Sequence, residues 1–250
     1  TPDLCIANAA LSQLSYHPIE AQSVSMAVRK RQALPVSQND LHTILPSSAM
    51  RLSHIHIFAR APVMGQCKTR LIPRLGAHGA AWVQRRLIEH VLSVAMAAVG
   101  PANITLWGAP HAAHGFFMLC RLRHGVRLAR QARGDLGARM RSTLSRQPGL
   151  LIGSDALGLT LEDLVRASCA LSSADYLLQP APDGGYVLIG ARKPLPTLAG
   201  IAWSSGYEAR QTAARLVRAG TLTWLAPARR DLDTARDWRH ARRQGQLTPL

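Results

Sequence analysis

Arg60, Gly65, Lys68 and Arg70 lie within one short stretch of the 250-residue chain, and their types and spacing could do chemistry. They follow the alternating run Ile55-His56-Ile57-Phe58 and precede a long helical pattern that begins near Ala77. A strand, a glycine-bearing cationic loop and a helix together make a cradle for polyanions. Backbone N–H groups and cationic side chains converge there on phosphate oxygens. Gly65 would let the backbone turn. Taken alone, the same residues also fit a solvated basic loop.

Isolated carboxylates stand further along. Asp135 lies in Gly134-Asp135-Leu136-Gly137, with Arg139 after it, and Asp155 ends Gly153-Ser154-Asp155. Asp183 begins Asp183-Gly184-Gly185-Tyr186, and Asp231 and Asp233 share Asp231-Leu232-Asp233-Thr234. Cations at one loop and carboxylates at others is the division that a metal-bound diphosphate requires. Hard Mg²⁺ or Mn²⁺ takes one or two carboxylates plus phosphate oxygens, while Arg and Lys neutralise the remaining charge. Each carboxylate has a plainer role beside this one. Asp135 can cap a helix, Asp183 can shape a turn before two glycines, and Asp231 and Asp233 can cap the last helix. Asp155 resists that explanation, because a carboxylate ending the apolar strand Leu150-Leu151-Ile152 is costly to bury without a partner.

The elements that must position these residues follow from periodicity. Strands are expected at 55–59, 104–107, 126–129, 150–152, 176–179, 186–190 and 221–225. Helices are expected at 79–99, 114–123, 136–145, 161–171, 207–219 and 234–243, with Asp135 and Thr160 as caps. Regular alternation of this kind implies an α/β fold with a mainly parallel sheet and ligands at the carboxyl ends of its strands. Residues 1–50 do not share the pattern. Met50 stands directly before the first strand, so residues 1–50 are expected to be either a loosely packed or disordered extension or a stretch ahead of a true start at Met26 or Met50. The remaining residues, 51–250, form the expected domain.

Composition limits the function classes. The net charge of +16 comes almost wholly from arginine, since lysine occurs only at Lys30, Lys68 and Lys193. The arginines are scattered, with local clusters at 121–133 and 236–243, which argues against nucleic acid as the main partner and for general attraction to anions. Cys5, Cys67, Cys120 and Cys169 form no Cys-x-x-Cys pair, which suits a reducing cytoplasm better than a disulfide framework or a structural zinc site. No run approaches the roughly 18 apolar residues of a membrane span.

Six ordered motifs carry a resemblance. They are Phe-Ala-Arg-Ala-Pro-Val-x-Gly-x-x-Lys-Thr-Arg-Leu (58–71), Gln-x-x-Gly-Asp-Leu-Gly-x-Arg-Met (131–140), Ile-Gly-Ser-Asp-x-x-Gly-Leu-Thr (152–160), Pro-x-x-Asp-Gly-Gly-Tyr-x-Leu-Ile-Gly (180–190), Trp-Ser (203–204) and Asp-Leu-Asp-Thr (231–234). Over residues 52–240 the chain resembles the glycosyltransferase-A-like transferase family, formerly a domain of unknown function, associated with radical-SAM/selenodomain proteins or arsenosugar biosynthesis. The resemblance implies a nucleotide-diphospho-sugar transferase fold, a Rossmann-like αβα sandwich with a mainly parallel mixed sheet. It implies a metal-dependent transferase that uses a nucleotide-activated donor, most simply a nucleotide sugar, and a small-molecule acceptor.

By the same resemblance, Arg60, Gly65, Lys68, Arg70 and Asp135 would hold the nucleotide phosphates. Asp155 and Asp233 would bind Mg²⁺ or Mn²⁺, and Asp183 with Gly184, Gly185 and Tyr186 would line the acceptor side, which makes Asp183 the best candidate for a catalytic base. Two alternatives stay open. One is a nucleotidyltransferase acting on a nucleoside triphosphate, similar to phospholactate guanylyltransferase or the molybdenum-cofactor enzymes; the other is a non-catalytic nucleotide- or nucleic-acid-binding protein. Two positions depart from the family. Ala156-Leu157 replaces Cys-Pro after Gly-Ser-Asp, which frees φ and restores an N–H, so a less fixed loop is expected. Pro182 replaces an acidic residue before Asp183.

Overall fold

A computed structural model describes residues 54–246. The expected extension at residues 1–50 lies outside the described residues. Among the described residues, seven strands form one sheet: β1 (Ile55–Arg60), β2 (Ile104–Ala109), β3 (Arg127–Arg130), β4 (Gly149–Gly153), β5 (Tyr176–Pro180), β6 (Tyr186–Ala191) and β7 (Leu222–Trp224). Their spatial order is β3-β2-β1-β4-β6-β5-β7. All neighbours run parallel except β6, which is antiparallel to both β4 and β5. β6 reverses because only the short turn 181–185 joins it to β5, and a parallel return needs a crossover of a dozen residues or more.

Among the described residues, five α-helices connect strands and a sixth follows the last one: α1 (Ile72–Val99), α2 (Gly115–His124), α3 (Leu136–Arg146), α4 (Leu161–Ser173), α5 (Glu208–Ala219) and α6 (Ala235–Arg243). The period-two alternation of the strands divides them between two faces. Ile55, Ile57, Leu106, Leu150 and Ile152 pack against α1, α2 and α4. Phe58, Leu151, Leu178 and Ile189 pack against α3 and α5. The result is a three-layer αβα sandwich with a mainly parallel mixed sheet. A third cluster seats Trp238 and Ala241 of α6 on Val83 and Leu87 of α1, together with Leu157 and Leu232.

Local chemistry sets the helix ends. Asp135 accepts from the Ala138 N–H at 2.7 Å, and Thr160 with Asp163 forms a reciprocal capping box. The last helix is capped by Thr234 with Asp237, so Asp231 and Asp233 are not needed as caps. α1 begins earlier than its pattern suggests. It starts at Ile72 and is broken at Gly76, where φ is 68° and ψ 170°, so the helical periodicity becomes continuous only beyond that break. Among the described residues, no helix is long and apolar enough to cross a membrane.

Candidate active site

β1 and β4 lie side by side with Phe58 opposite Gly153, so the loops after them leave the sheet together. β1 also borders β2, and a crevice opens where connections diverge to either side of a central strand. Buried Gln84 of α1 stitches the two loops by donating from one amide nitrogen to the Arg60 carbonyl at 3.0 Å and the Ser154 hydroxyl at 3.2 Å. Gly153 leaves room for the Asp155 carboxylate, which a Cβ at that position would push aside.

A cavity of about 460 Å³ occupies this crevice, within the size range of small-molecule sites. Arg60, Lys68, Arg70 and Arg139 meet Asp155, Asp231 and Asp233 across it, and Tyr186 forms part of its wall. An adjoining cavity of about 420 Å³ shares Arg60, Gln131 and Arg139 with the first and adds Arg130 and Arg133. Cations and carboxylates therefore do face one another at the carboxyl ends of the strands.

The centre of the site is an ion cluster. Lys68 Nζ donates to Asp233 Oδ1 at 2.6 Å, to the Leu232 carbonyl at 2.7 Å and to Asp155 Oδ2 at 3.4 Å. Its side chain is 8% exposed, whereas those of Asp155 and Asp233 are 40% and 42% exposed and open to the cleft. Burial works against the ammonium charge, but Asp155, Asp233 and Asp231 outweigh it and hold the Lys68 pKa above its usual range. Asp231 faces the reverse balance. Burial and then the negative charges of Asp155, Asp183 and Asp233 push its carboxyl up to about 7. Arg70 reaches Asp233 Oδ2 at 4.0 Å from an exposed position, and Arg60 donates to the Gln66 carbonyl at 3.2 Å.

Asp155 and Asp233 converge on one ammonium, which acts as a stand-in cation between them. That convergence, with oxygen donors open to solvent, fits a divalent ion completed by substrate oxygens. Among the described residues, no group of three or more metal-ligating side chains comes together, so the protein alone would not enclose such an ion.

Of the other expected residues, Tyr186 lines the cavity, whereas Gly65, Asp135, Asp183, Gly184 and Gly185 are not part of its lining. Asp135 is exposed and capping α3, while its neighbours Leu136 and Arg139 line the cleft. Gly65 turns with φ 76° in an exposed segment outside the lining. Asp183 accepts from the Gly185 N–H at 3.0 Å, as a turn residue does, yet lies close enough to raise the Asp231 pKa. Gly184, at φ 91°, allows the Gly206 carbonyl to approach where a Cβ would clash, so Gly184 has a packing reason of its own. Tyr186 has its phenol pushed well above its usual pKa by burial, and it accepts from the Thr212 hydroxyl at 3.4 Å.

Two contributions were not assigned from sequence. Asp231 stands among the candidate carboxylates in the sequence but received no site role of its own there, and its spacing does not indicate a third carboxylate facing Asp155. Arg139 is aimed by Gln131, whose Oε1 accepts from it at 3.1 Å while its amide donates to the Trp107 carbonyl at 2.9 Å. The motif placed Arg139 in sequence but gave it no role. The Ala156-Leu157 departure does not leave the loop loose. The Leu157 N–H donates to the Asp155 carbonyl at 2.7 Å, and its side chain is buried beside Leu232 and Trp238. The Leu232 N–H donates to the same carbonyl at 3.0 Å, tying the 231–233 segment to Asp155.

The profile of a family described as uncharacterized protein conserved in bacteria, DUF2064, matches residues 91–205. Among solved structures, a Desulfovibrio desulfuricans G20 protein, described provisionally as a nucleotide-diphospho-sugar transferase, is 27% identical with a TM-score of 0.68 over 78% of this chain and 87% of its own. A cytidylyltransferase from Leptospira borgpetersenii serovar Hardjo-bovis (strain JB197) gives 13% identity and a TM-score of 0.46 over 74% of this chain and 82% of that one. A manganese complex of a Mycobacterium tuberculosis H37Rv protein gives 16% identity and a TM-score of 0.43 over 75% of this chain and 97% of that one. No curated protein sequence matches. The resemblance carried by the six motifs is borne out: the chain matches the DUF2064 family over residues 91–205 and has the fold of the nucleotide-diphospho-sugar transferases.

Proposed function

We propose that the chain is a metal-dependent transferase that acts on a nucleotide-activated donor, most simply a nucleotide sugar. The convergence of Asp155 and Asp233 on one cation, inside a cleft rimmed by Arg60, Arg70 and Arg139, carries this reading. The similarity to the Desulfovibrio protein supports it at the level of the donor. Asp155 and Asp233 would hold Mg²⁺ or Mn²⁺, which when bound supplies Lewis-acid stabilisation of the departing diphosphate. Arg60, Lys68 and Arg70 neutralise the charge that the diphosphate brings and that grows as it leaves. Arg139, held by Gln131, gives a further donor in the cavity lining. Asp183 and Asp231 are the carboxylates available to take the acceptor's proton. Burial and neighbouring carboxylates raise the Asp231 pKa to about 7, which suits a base working near pH 7.

Incubation with metal and a panel of UDP-, GDP-, CDP- and dTDP-sugars and nucleoside triphosphates tests the proposal. Release of a nucleoside diphosphate is the expected result. Release of pyrophosphate instead would make the chain a nucleotidyltransferase. Tight, steeply salt-dependent binding of arbitrary DNA without turnover would point to a binding protein.

A further inference from the structure

Lys68 is turned onto the protein's own acceptors in the free chain. Its ammonium uses all three of its donors on the protein itself, on Asp233, Leu232 and Asp155. The backbone turns left-handed to put it there, with φ 44° and ψ 44°, a conformation unfavourable for a residue with a Cβ. The two carboxylates it binds are those that a divalent ion would need, and Asp155 and Asp233 cannot give the same oxygens fully to both cations. Without a cation near them, Asp155, Asp231 and Asp233, which line the same cavity, would repel one another.

We infer that Lys68 is a resident counter-ion that keeps divalent metal off the Asp155–Asp233 pair in the free protein. It releases that pair only to a metal that arrives with a polyphosphate. The inference rests on the metal-dependent reading above and adds an order of binding to it. Phosphate oxygens entering the cleft offer the ammonium new acceptors, so Lys68 exchanges two carboxylates for the substrate's charge as the metal takes its place. The same side chain thus serves the empty site and the loaded one, and metal without substrate is excluded.

Equilibrium dialysis of Mn²⁺ against the full chain, with and without inorganic pyrophosphate, measures this directly. Without pyrophosphate, Lys68→Met should bind Mn²⁺ on the order of tenfold or more tightly than the wild type, because a charge-assisted competitor has been removed. With pyrophosphate, the wild type should gain Mn²⁺ affinity and the advantage of Lys68→Met should vanish. Equal Mn²⁺ binding by the two proteins without pyrophosphate would overturn the exchange while leaving the metal site intact. Absence of Mn²⁺ binding by either protein under both conditions would overturn the metal reading and the exchange with it.

A second measurement needs no variant. The chain has lysine only at positions 30, 68 and 193, so ¹⁵N-lysine labelling gives a sparse spectrum. Mg²⁺ alone should leave the Lys68 ammonium signal in place, and Mg²⁺ with pyrophosphate should move it. Movement with Mg²⁺ alone, or none with both, would contradict the exchange.

Discussion

Two ion clusters sit on either side of the segment 229–233, and only one of them is closed. Asp163 has a fully buried side chain whose oxygens accept from Arg229 at 2.7 and 3.0 Å, from Arg166 at 2.8 Å, and from the Thr160 backbone and hydroxyl at 3.0 and 2.8 Å. Burial opposes its charge, but Arg229, Thr160 and Arg166 hold the carboxyl below its usual range. Every lone pair is used, and Arg229 is locked to the start of α4. The Lys68 cluster has the same ingredients with the opposite finish. Its cation is buried, but its carboxylates keep two-fifths of their surface open to the cleft, and a third carboxylate stands near them with a pKa near 7. A satisfied cluster fixes the segment, and an unsatisfied one has capacity left for a ligand.

Breaking the closed cluster should have the largest effect on stability. Asp163→Ala leaves Arg229 partly buried without its partner and removes the α4 capping box, so a loss of about 3–5 kcal/mol is expected, read as a lowered denaturation midpoint. A loss below about 1 kcal/mol would show that this cluster does not anchor the segment.

A neutral closed network should show next, through pH. His56 is fully buried; its Nδ1 accepts from the Trp107 indole at 3.1 Å and its Nε2 donates to the Gln147 carbonyl at 2.9 Å. Burial is the main cause that lowers its pKa to about 4. The unfolded chain takes up this proton near pH 6.5 and the folded one only near 4, so stability is fully present above 6.5 and falls as pH drops toward 4. The fall should amount to roughly 2–3 kcal/mol from this residue. His56→Leu should flatten that part of the acid limb while lowering the plateau, and an unchanged limb would show that His56 does not hold the neutral form.

The open cluster predicts a slope of the other sign, reduced by solvent screening because Asp231 is only half-buried. Asp231 ionises near 7 in the fold and near 4 when unfolded, so the folded state holds the extra proton and stability declines as pH rises from about 4 to 7. Asp231→Asn should remove that decline and stabilise the protein slightly at pH 8, measured by denaturation at several pH values. A loss of stability in Asp231→Asn at pH 8 would mean that this carboxylate is as well satisfied as Asp163.

The elements were largely legible because their signals are local. Strand alternation, Thr160 with Asp163, and Asp135 before α3 each depend on residues a few positions apart. α1 was read late because Gly76 interrupts its period just where the helix begins. The pairings that decide the site are different in kind. Lys68 meets Asp155 and Asp233 across 87 and 165 positions, and Arg229 meets Asp163 across 66, so no local pattern announces them. The motifs placed Lys68, Asp155 and Asp233 in one set without saying that the lysine would stand between the aspartates. Asp183 and Asp231 show the same gap. The first sits in a recognisable turn and the second next to a recognisable cap, and only the sheet brings their charges together.

The account turns on the open cluster being a ligand site rather than architecture. Calorimetric titration of UDP, GDP, CDP and dTDP with Mn²⁺ into wild type, Asp155→Asn and Asp163→Asn tests that most directly when paired with thermal denaturation. The account predicts that at least one nucleotide binds the wild type with metal. Asp155→Asn should lose that binding while melting no lower than the wild type, and Asp163→Asn should melt lower. Undiminished metal-dependent binding in Asp155→Asn, or a melting loss in that variant as large as in Asp163→Asn, would contradict it.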